Sequence, residues 1–501
     1  MDGDGKPDLA VANSNSSTVS VIRNADLPPP TVTSFSPLSG KPGDVVTITG
    51  TNFNSTPANN VVFFGATRAT VTAATATSLT VTVPNGATFA PITLLNTGTV
   101  LAAYSSAKFT PKFSPAKADI TAAEFLPKQD FETGDGPFSV AIGDLDGDGK
   151  PDLAVANTFS NMVSVFRNTS SSGSITEGSF ATRVNFGTQN FPISVAIGDL
   201  DGDGKPDLAV ANNGSHSVTV LRNTSTSGSI TAGSFAAGVN FGTGGGPYSV
   251  AIGDLDGDGK PDLAAASYRS NSVSVLRNTS TSGSIVPGSF ASRVDFGTAA
   301  NPYSVSIGDL DGDGKPDLAV ANYGSNSVSV LRNTSTSGSI AAGSFADRVD
   351  FATGNLPISV AIGDLDGDAK PDLAVSNYDG PNTVSVLRNT STSGSIAAGS
   401  FAAKVDFGTG AFPHFVSIGD LDGDGKPDLA VANSNSSSVS VIRNADLPPT
   451  ITSFSPSSGS VGSLVTITGT DLNNLTSVSI GGVSAIPISN NGTTLVAMVM
   501  P

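Results

Sequence analysis

Asp199-Leu-Asp201-Gly-Asp203-Gly-Lys205-Pro-Asp207-Leu-Ala decides the architecture. The same string opens at Asp144, Asp254, Asp309 and Asp420, and returns at Asp364 with one change, Ala369 for Gly. Successive copies stand 55 residues apart, and 56 at the last step. An incomplete copy opens the chain, with Met1 in the Leu position and Asp2 following it. Self-similarity at such a period marks a chain built by repeating one supersecondary unit.

Working outward from the quoted copy, four short runs surround the loop: Ile193 to Ile197, Leu208 to Ala211, Ser217 to Leu221 and Ser234 to Phe241. Each is short, β-rich and bounded by turn residues, and no 3.6-residue period of helical length occurs. Four strands per unit, repeated about six times, predict the radial blades of a β-propeller. At the ends of the array, Glu124 to Phe131 aligns with the fourth segment of a unit but follows no first three. Val416 to Asn444 supplies the first three without a fourth. Pairing the two would complete the last blade and remove an open strand edge. The expected fold is therefore all-β, with a six-bladed propeller of four-stranded blades over residues 120–446.

A second composition lies between the opening fragment and this array. Val45 to Thr49, Val61 to Phe64, Leu79 to Val83 and Ile92 to Leu95 read as strands of a small β-sandwich. Its opening returns at Ile451, and Val465-Thr-Ile-Thr-Gly-Thr470 matches Val46-Thr-Ile-Thr-Gly-Thr51. The expected organisation is a fragment of a preceding blade at 1–27, an immunoglobulin-like sandwich at 31–113, the propeller at 120–446 and a truncated second sandwich at 449–501. Asp2 corresponds to Asp422, a super-repeat of 420 residues, so the chain reads as part of a longer tandem array and as monomeric within it.

Composition narrows the function. Gly 56 and Pro 31, with charged residues at 13%, suit a turn-rich β protein. Lys+Arg 25 against Asp+Glu 42 gives a net charge of -17, which repels phosphate backbones and argues against a nucleic-acid partner. No apolar run is long enough to span a bilayer, and the first residues do not read as an export signal. Cys 0 removes disulfides and thiolate chemistry. His216 and His414 have no counterparts in the other copies and read as loop residues. No recurrent triad is visible, so an enzyme is not expected.

The repeated loops carry the chemistry. Asp occupies loop positions 1, 3, 5 and 9, and position 7 is a Lys whose backbone carbonyl can face inward. The six sets are Asp144, Asp146, Asp148, Lys150 and Asp152; Asp199, Asp201, Asp203, Lys205 and Asp207; Asp254, Asp256, Asp258, Lys260 and Asp262; Asp309, Asp311, Asp313, Lys315 and Asp317; Asp364, Asp366, Asp368, Lys370 and Asp372; and Asp420, Asp422, Asp424, Lys426 and Asp428. Clustered carboxylates repel one another unless a cation sits among them, and hard oxygen donors without His or Cys select Ca²⁺. Plain Asp-Gly turns are the alternative, and six copies with the same four carboxylates weigh against it. Six Ca²⁺ ions would reduce the charge of -17 to -5. This is no EF-hand, because Val155 stands where position 12 needs a bidentate Glu. Ala369 at position 6 should strain its turn by about 1 kcal/mol.

These loops, with Phe186-Gly187, Phe241-Gly242, Phe296-Gly297 and Phe407-Gly408, resemble the FG-GAP/VCBS repeats of integrin-α-like propellers. Phe351-Ala352 and Phe131-Glu132 depart from the Phe-Gly pattern. The sandwich, with Phe35-Ser-Pro37, Gly50-Thr-Asn-Phe53 and Phe63-Phe-Gly65, resembles an IPT/TIG domain. The resemblance implies Ca²⁺ in each blade's loop, a secreted or cell-surface setting, and no single partner. The expected function is a calcium-stabilised adhesive or scaffolding module binding a protein or glycan at the surface.

A carbohydrate-binding propeller, or the accessory region of a larger secreted enzyme, is the alternative. Tyr248, Tyr303, Phe138, Phe191 and Phe412 recur beside the Pro before the first strand and could line blade tops or simply pack between blades. Asn168, Asn223, Asn278, Asn333 and Asn389 each begin an Asn-Thr-Ser tripeptide that reads as a turn before it reads as a glycan acceptor. Arg167, Arg222, Arg277, Arg332, Arg388 and Arg443 close the third strand and are expected to pair with a nearby carboxylate. No Arg-Gly-Asp tripeptide occurs.

Overall fold

The computed structural model describes residues 9–13, 18–22, 29–85, 87, 90–99, 101–112, 129–170, 175–421, 426–436, 438–444, 450–470, 472, 477–490 and 493–500. Two compact units divide the chain, Met1–Arg443 and Asn444–Pro501. Among the described residues, apart from one single-turn 3₁₀ helix at Pro57–Asn59, the regular structure is all strand, as expected.

Among the described residues, five four-stranded antiparallel sheets and a sixth of three strands make up the repeat array. In the second blade the strands are Pro192–Gly198, Asp207–Asn212, Ser217–Leu221 and Val239–Gly242, laid side by side in chain order. The fourth is shorter than the sequence suggests: Phe235 only bridges to Asn223 before pairing resumes at Val239. First strands neighbour one another in succession from Pro137–Gly143 to Pro413–Gly419. The Phe138 ring of the first sheet also lies 5.4 Å from the His414 ring of the sixth, so the first strands encircle an axis. The fold is a β-propeller.

Its core explains the residue choice. Second and third strands are buried on both faces, because each sheet is sandwiched between neighbours, so they read as continuous runs such as Leu208-Ala-Val-Ala and Val218-Thr-Val-Leu. Ala154, Ala156, Val163 and Val165 of the first blade pack on Val195, Val210 and Leu221 of the second. Alanines alternate with larger residues where adjacent blades approach.

The first and sixth sheets differ from the rest. Val140 is 58% exposed and Val439 65%, where Val195 and Val218 of the second blade are 6% and 0%. The expected closure by Glu124 to Phe131 falls mostly outside the described residues. Phe131 is described, and its ring lies 5.0 Å from Phe180. That repeats the contacts of Phe186 with Phe235 and of Phe241 with Phe290, at 4.9 and 4.8 Å. Phe131 thus stands toward the first blade as the end of one blade's fourth strand stands toward the next.

The first sandwich holds the four expected strands, as Val45–Thr51, Asn60–Phe64, Ser78–Thr82 and Ala90–Asn96. It also holds Thr31–Ser36, Thr67–Ala74 and Leu101–Pro111, which lack a clean apolar alternation. Phe64 and Phe109 meet edge to face at 4.7 Å in its core. The second unit repeats the first pairing: Leu464–Thr470 lies between Thr450–Ser455 and Thr494–Met498, over a core of Val465, Ile467, Leu495 and Ala497.

Candidate metal centres

Each Asp loop is the hairpin between a blade's first and second strands. In the second blade Asp207, fully buried, accepts from Leu200 N at 2.9 Å and from Asn223 N at 2.7 Å. Asp199 accepts from Asp203 N and Gly204 N at 3.1 and 2.9 Å, and Asp203 from Lys205 N at 2.9 Å. Position 9 thus ties the loop to strand three, while positions 1 and 5 fold it back on itself. Position 6 needs a positive φ for this turn: Gly204 is at +84°, and Ala369 is held at +67°.

One atom recurs without a partner. Oδ2 of Asp146, Asp201, Asp256 and Asp311, position 3 in four loops, is buried and accepts no hydrogen bond. Its nearest positive charge in the second and fourth blades is Arg222 or Arg332, at 4.0 Å, beyond hydrogen-bond distance. Orphaned buried carboxylate oxygen is costly. Carboxylate atoms lie within 4.8 Å of one another in five sets: Asp144, Asp146 and Asp152; Asp199, Asp201 and Asp203; Asp254, Asp256 and Asp262; Asp309, Asp311 and Asp317; and Asp364, Asp366 and Asp372. In the sixth loop Asp422 and Asp424 lie outside the described residues.

Burial, reinforced by neighbouring carboxylates, pushes Asp199 and Asp254 up to about 7 and Asp201 and Asp256 up to about 6. Asp207 and Asp262 rise well above the usual range for the same reasons. Groups so placed take up protons far more readily than ordinary carboxylates unless a cation replaces the proton. Converging hard oxygens with an unused acceptor fit a divalent cation of the Ca²⁺ class. The lysines at position 7 turn their side chains away, Lys205 Nζ donating to Ser225 O and Lys260 Nζ to Ser280 O at 2.8 and 2.7 Å. Any share they take in holding an ion is left to the backbone carbonyl.

Sequence reasoning missed what grips these loops. Asn223 Nδ2 reaches the preceding blade's loop, donating to Leu145 O at 2.7 Å, and also to Pro206 O at 2.8 Å of its own. Ser225 Oγ donates to the same Leu145 carbonyl and Ser227 Oγ to Gly147 O. Asn278, Asn333 and Asn389 repeat the latch onto Leu200, Leu255 and Leu310. The tripeptides are therefore turn residues. At these four a buried Nδ2 with both protons bonded has no room for a glycan, while Asn168 Nδ2 donates to Pro151 O, and the signal was the repetition of Ser and Thr at every copy.

Other expectations resolve similarly. Arg222, Arg277, Arg332 and Arg388 lie within 4.0 Å of loop carboxylates, as expected. His216 is a turn residue at φ +52°, its Nδ1 accepting from Gly246 N at 2.8 Å where Asn271 Oδ1 accepts from Asn301 N. His414 is not a loop residue. It sits in the first strand of the sixth sheet and faces the axis.

Within the first unit the sandwich meets the loop end of the ring. Ala66 O accepts from Asp144 N at 3.0 Å, and Ala102 N donates to Gly259 O at 2.6 Å. Lys108 Nζ donates to Ile362 O, and burial pushes this lysine down to about 8. A cavity of about 910 Å³ remains there, lined by Phe63, Leu101, Tyr104, Asp199, Asp201 and Lys260 among others.

A family model described as FG-GAP-like repeat matches residues 144–210, 199–265, 254–320, 309–375 and 370–431. One described as IPT/TIG domain matches 30–111 and 449–501. No curated protein matches significantly. Among solved structures, an auxiliary nutrient binding protein from Bacteroides ovatus is similar at 13% identity and TM-score 0.37, over 84% of this chain and 99% of that one. Its counterpart from Bacteroides thetaiotaomicron shows 11% identity, TM-score 0.37 and the same coverage. A functionally unknown protein from Desulfotomaculum acetoxidans shows 14% identity and TM-score 0.40, over 70% of this chain and 89% of that one.

Proposed function

The chain belongs to the FG-GAP-like repeat family, and from that premise we propose that it is a calcium-stabilised extracellular or cell-surface binding scaffold, acting in adhesion and without catalytic activity. The orphaned Oδ2 at position 3, in the same place in four loops, carries this reading. Ca²⁺ among these oxygens would supply the missing charge and tie the two strands of each hairpin together. Asp at positions 1, 3, 5 and 9, with the position 7 carbonyl, would hold one ion in each blade. About six ions would then serve a six-bladed ring.

Extracellular modules bind Ca²⁺ at about 10⁻⁴ to 10⁻³ M, so such loops would stay largely empty in cytosol and fill after export. Calorimetric melting of the full chain in excess EDTA and in millimolar CaCl₂, with a titration for stoichiometry, tests the reading. A large rise in Tm with about six ions supports it. No rise, or a single ion, rejects the metal assignment and the localisation that follows from it. A carbohydrate-binding ring is the second reading, favoured by the side chains at the opposite end of the sheets.

A further inference from the structure

At the end of the sheets away from the Asp loops, first strands begin and second strands finish. The second residue of the first strand is Phe138, Ile193, Tyr248, Tyr303, Ile358 and His414 in blades one to six. Pairing skips this residue every time, since the register shifts between Pro302 and Ser304 and at the equivalent places. Bulges of this kind re-aim a side chain and are frequent beside functional sites. Here they aim it at the axis. The residue after the second strand adds Tyr268, Tyr323 and Tyr378 in blades three to five.

These rings form one connected cluster. Tyr248 and Tyr303 stand 4.4 Å apart, and Tyr303 stacks on Tyr323 at 6.0 Å. His414 lies 5.4 Å from Phe138, 6.4 Å from Tyr303 and 6.1 Å from Tyr378. Contacts that join the sixth blade to the first and to the fourth place the cluster on the axis rather than between neighbouring blades. Five of the chain's six tyrosines are in it.

Packing alone does not account for this choice. The hydroxyls of these five tyrosines and the His414 imidazole make no hydrogen bond among the described residues, and none of these polar atoms is sealed from solvent. Leu, Ile or Phe would pack as well without polar atoms to satisfy. Charge is also absent from the ring contacts. Burial holds His414 below its usual range, and burial with neighbouring phenols pushes Tyr303 up, so both are neutral at pH 7. Burial first, then neighbouring phenols and Asp379, push Tyr323 up as well. The first sandwich meets the ring at the other end.

We propose that the axial aromatic cluster is a binding site for a neutral saccharide, whose C–H face packs on the outermost ring, Tyr323, while its hydroxyls exchange hydrogen bonds with the phenols and His414. Each phenol both donates and accepts, which matches a sugar hydroxyl. The rings themselves hold no cation, Arg269 beside Tyr268 packing outward over Gly245 and Gly246, and a purely apolar ligand would leave the phenols unsatisfied. This deepens the reading of the ring as a binding module and rests on it, though not on its calcium content.

With Trp 0, tyrosine emission of the full chain reports chiefly on this cluster. The probes are methyl glycosides of glucose, galactose, mannose and N-acetylglucosamine, and the β-1,4-linked tetramers of glucose and N-acetylglucosamine, with tetralysine as the cationic control. At least one saccharide should change the emission saturably, at one site per chain by isothermal titration and independently of salt. Tyr303→Phe, which removes one hydroxyl, should weaken it about three- to tenfold without moving the Tm. Tyr323→Ala, at the rim, should weaken it at least as much.

Three outcomes overturn the proposal: no saccharide responds at about 10 mM, a response survives both variants unchanged, or only tetralysine binds. The calcium titration separates the two readings. Six ions without sugar binding removes this site and leaves the scaffold, whereas sugar binding without a calcium-dependent Tm does the reverse.

Discussion

The two ends of each blade obey different rules. At the loop end the six copies carry the same four carboxylates, with one departure at Ala369. At the axial end the matching position changes from Phe138 to Ile193, Tyr248, Tyr303, Ile358 and His414. Repetition is expected where each unit must solve the same local problem: turning a hairpin, neutralising buried charge and gripping the next unit. Variation around a closed set of strands produces one asymmetric surface from six similar parts. The loop end therefore assembles the ring, and the axial end is the place where it can be selective.

If that division is right, the largest stability effects belong at the loop end. Asp207→Ala removes the buried carboxylate that accepts hydrogen bonds from Leu200 N and Asn223 N. It should cost about 3 kcal/mol or more, in EDTA as well as in Ca²⁺. Asp201→Asn should destabilise only in Ca²⁺ and be neutral or stabilising in EDTA, because it removes a buried charge whose Oδ2 lacks a partner. Thermal melts of both variants in both buffers distinguish an ion site from a plain turn. Equal losses for Asp201→Asn in the two buffers would break the comparison.

A pH series sharpens the same point. In metal-free protein, Asp199 and Asp254 are raised to about 7 and Asp317 to about 8, chiefly by burial. The unfolded chain gives up these protons near 4, so between about pH 4 and 8 the folded state binds more protons. Their contribution is fully present below about 4 and is lost as pH rises through 7 to 8. In EDTA the Tm should therefore fall from pH 5 to pH 8, and in saturating Ca²⁺ it should stay nearly level. A metal-free Tm that rises over that range contradicts the buried carboxylate cluster.

Much of this was legible in the sequence for a physical reason. A buried carboxylate cluster needs several acidic residues at close spacing, and sheets packed on both faces need unbroken apolar runs. Asp199 to Asp207 and Leu208 to Ala211 advertise both directly. The latch was not legible, because Asn223 and Ser225 act across 78 and 80 residues on backbone carbonyls that carry no side-chain signature. The axial cluster was half legible. Tyr248 and Tyr303 stood out by position, but only the ring of first strands brings His414 and Tyr378 to them.

The latch itself gives the next effect in size. Asn278→Ala removes the bonds to Leu200 O and Pro261 O and the acceptor for Ser280 N. A loss of about 2 to 3 kcal/mol is expected, and it should loosen the second blade's loop through Leu200 and the third's own through Pro261. Calcium titration of the variant should show two weakened sites. A uniform loss across all sites would mean that the latch stabilises the ring globally and does not support the loop it touches.

The smallest effect tests the one loop that breaks the pattern. Ala369 sits at φ +67° where Gly149, Gly204, Gly259 and Gly314 lie at +85°, +84°, +85° and +86°. Its amide still donates to Asp364 Oδ2 at 2.9 Å, so the turn is kept and its backbone is strained. Ala369→Gly removes the strain but frees the unfolded chain, two effects of opposite sign. At a left-handed position the strain is the larger, and a net gain of about 0.5 to 1 kcal/mol is expected. If the fifth loop also holds an ion, the gain should be accompanied by tighter binding at one site. A gain in stability with an unchanged calcium titration would mean that the strain at Ala369 is carried by the hairpin alone.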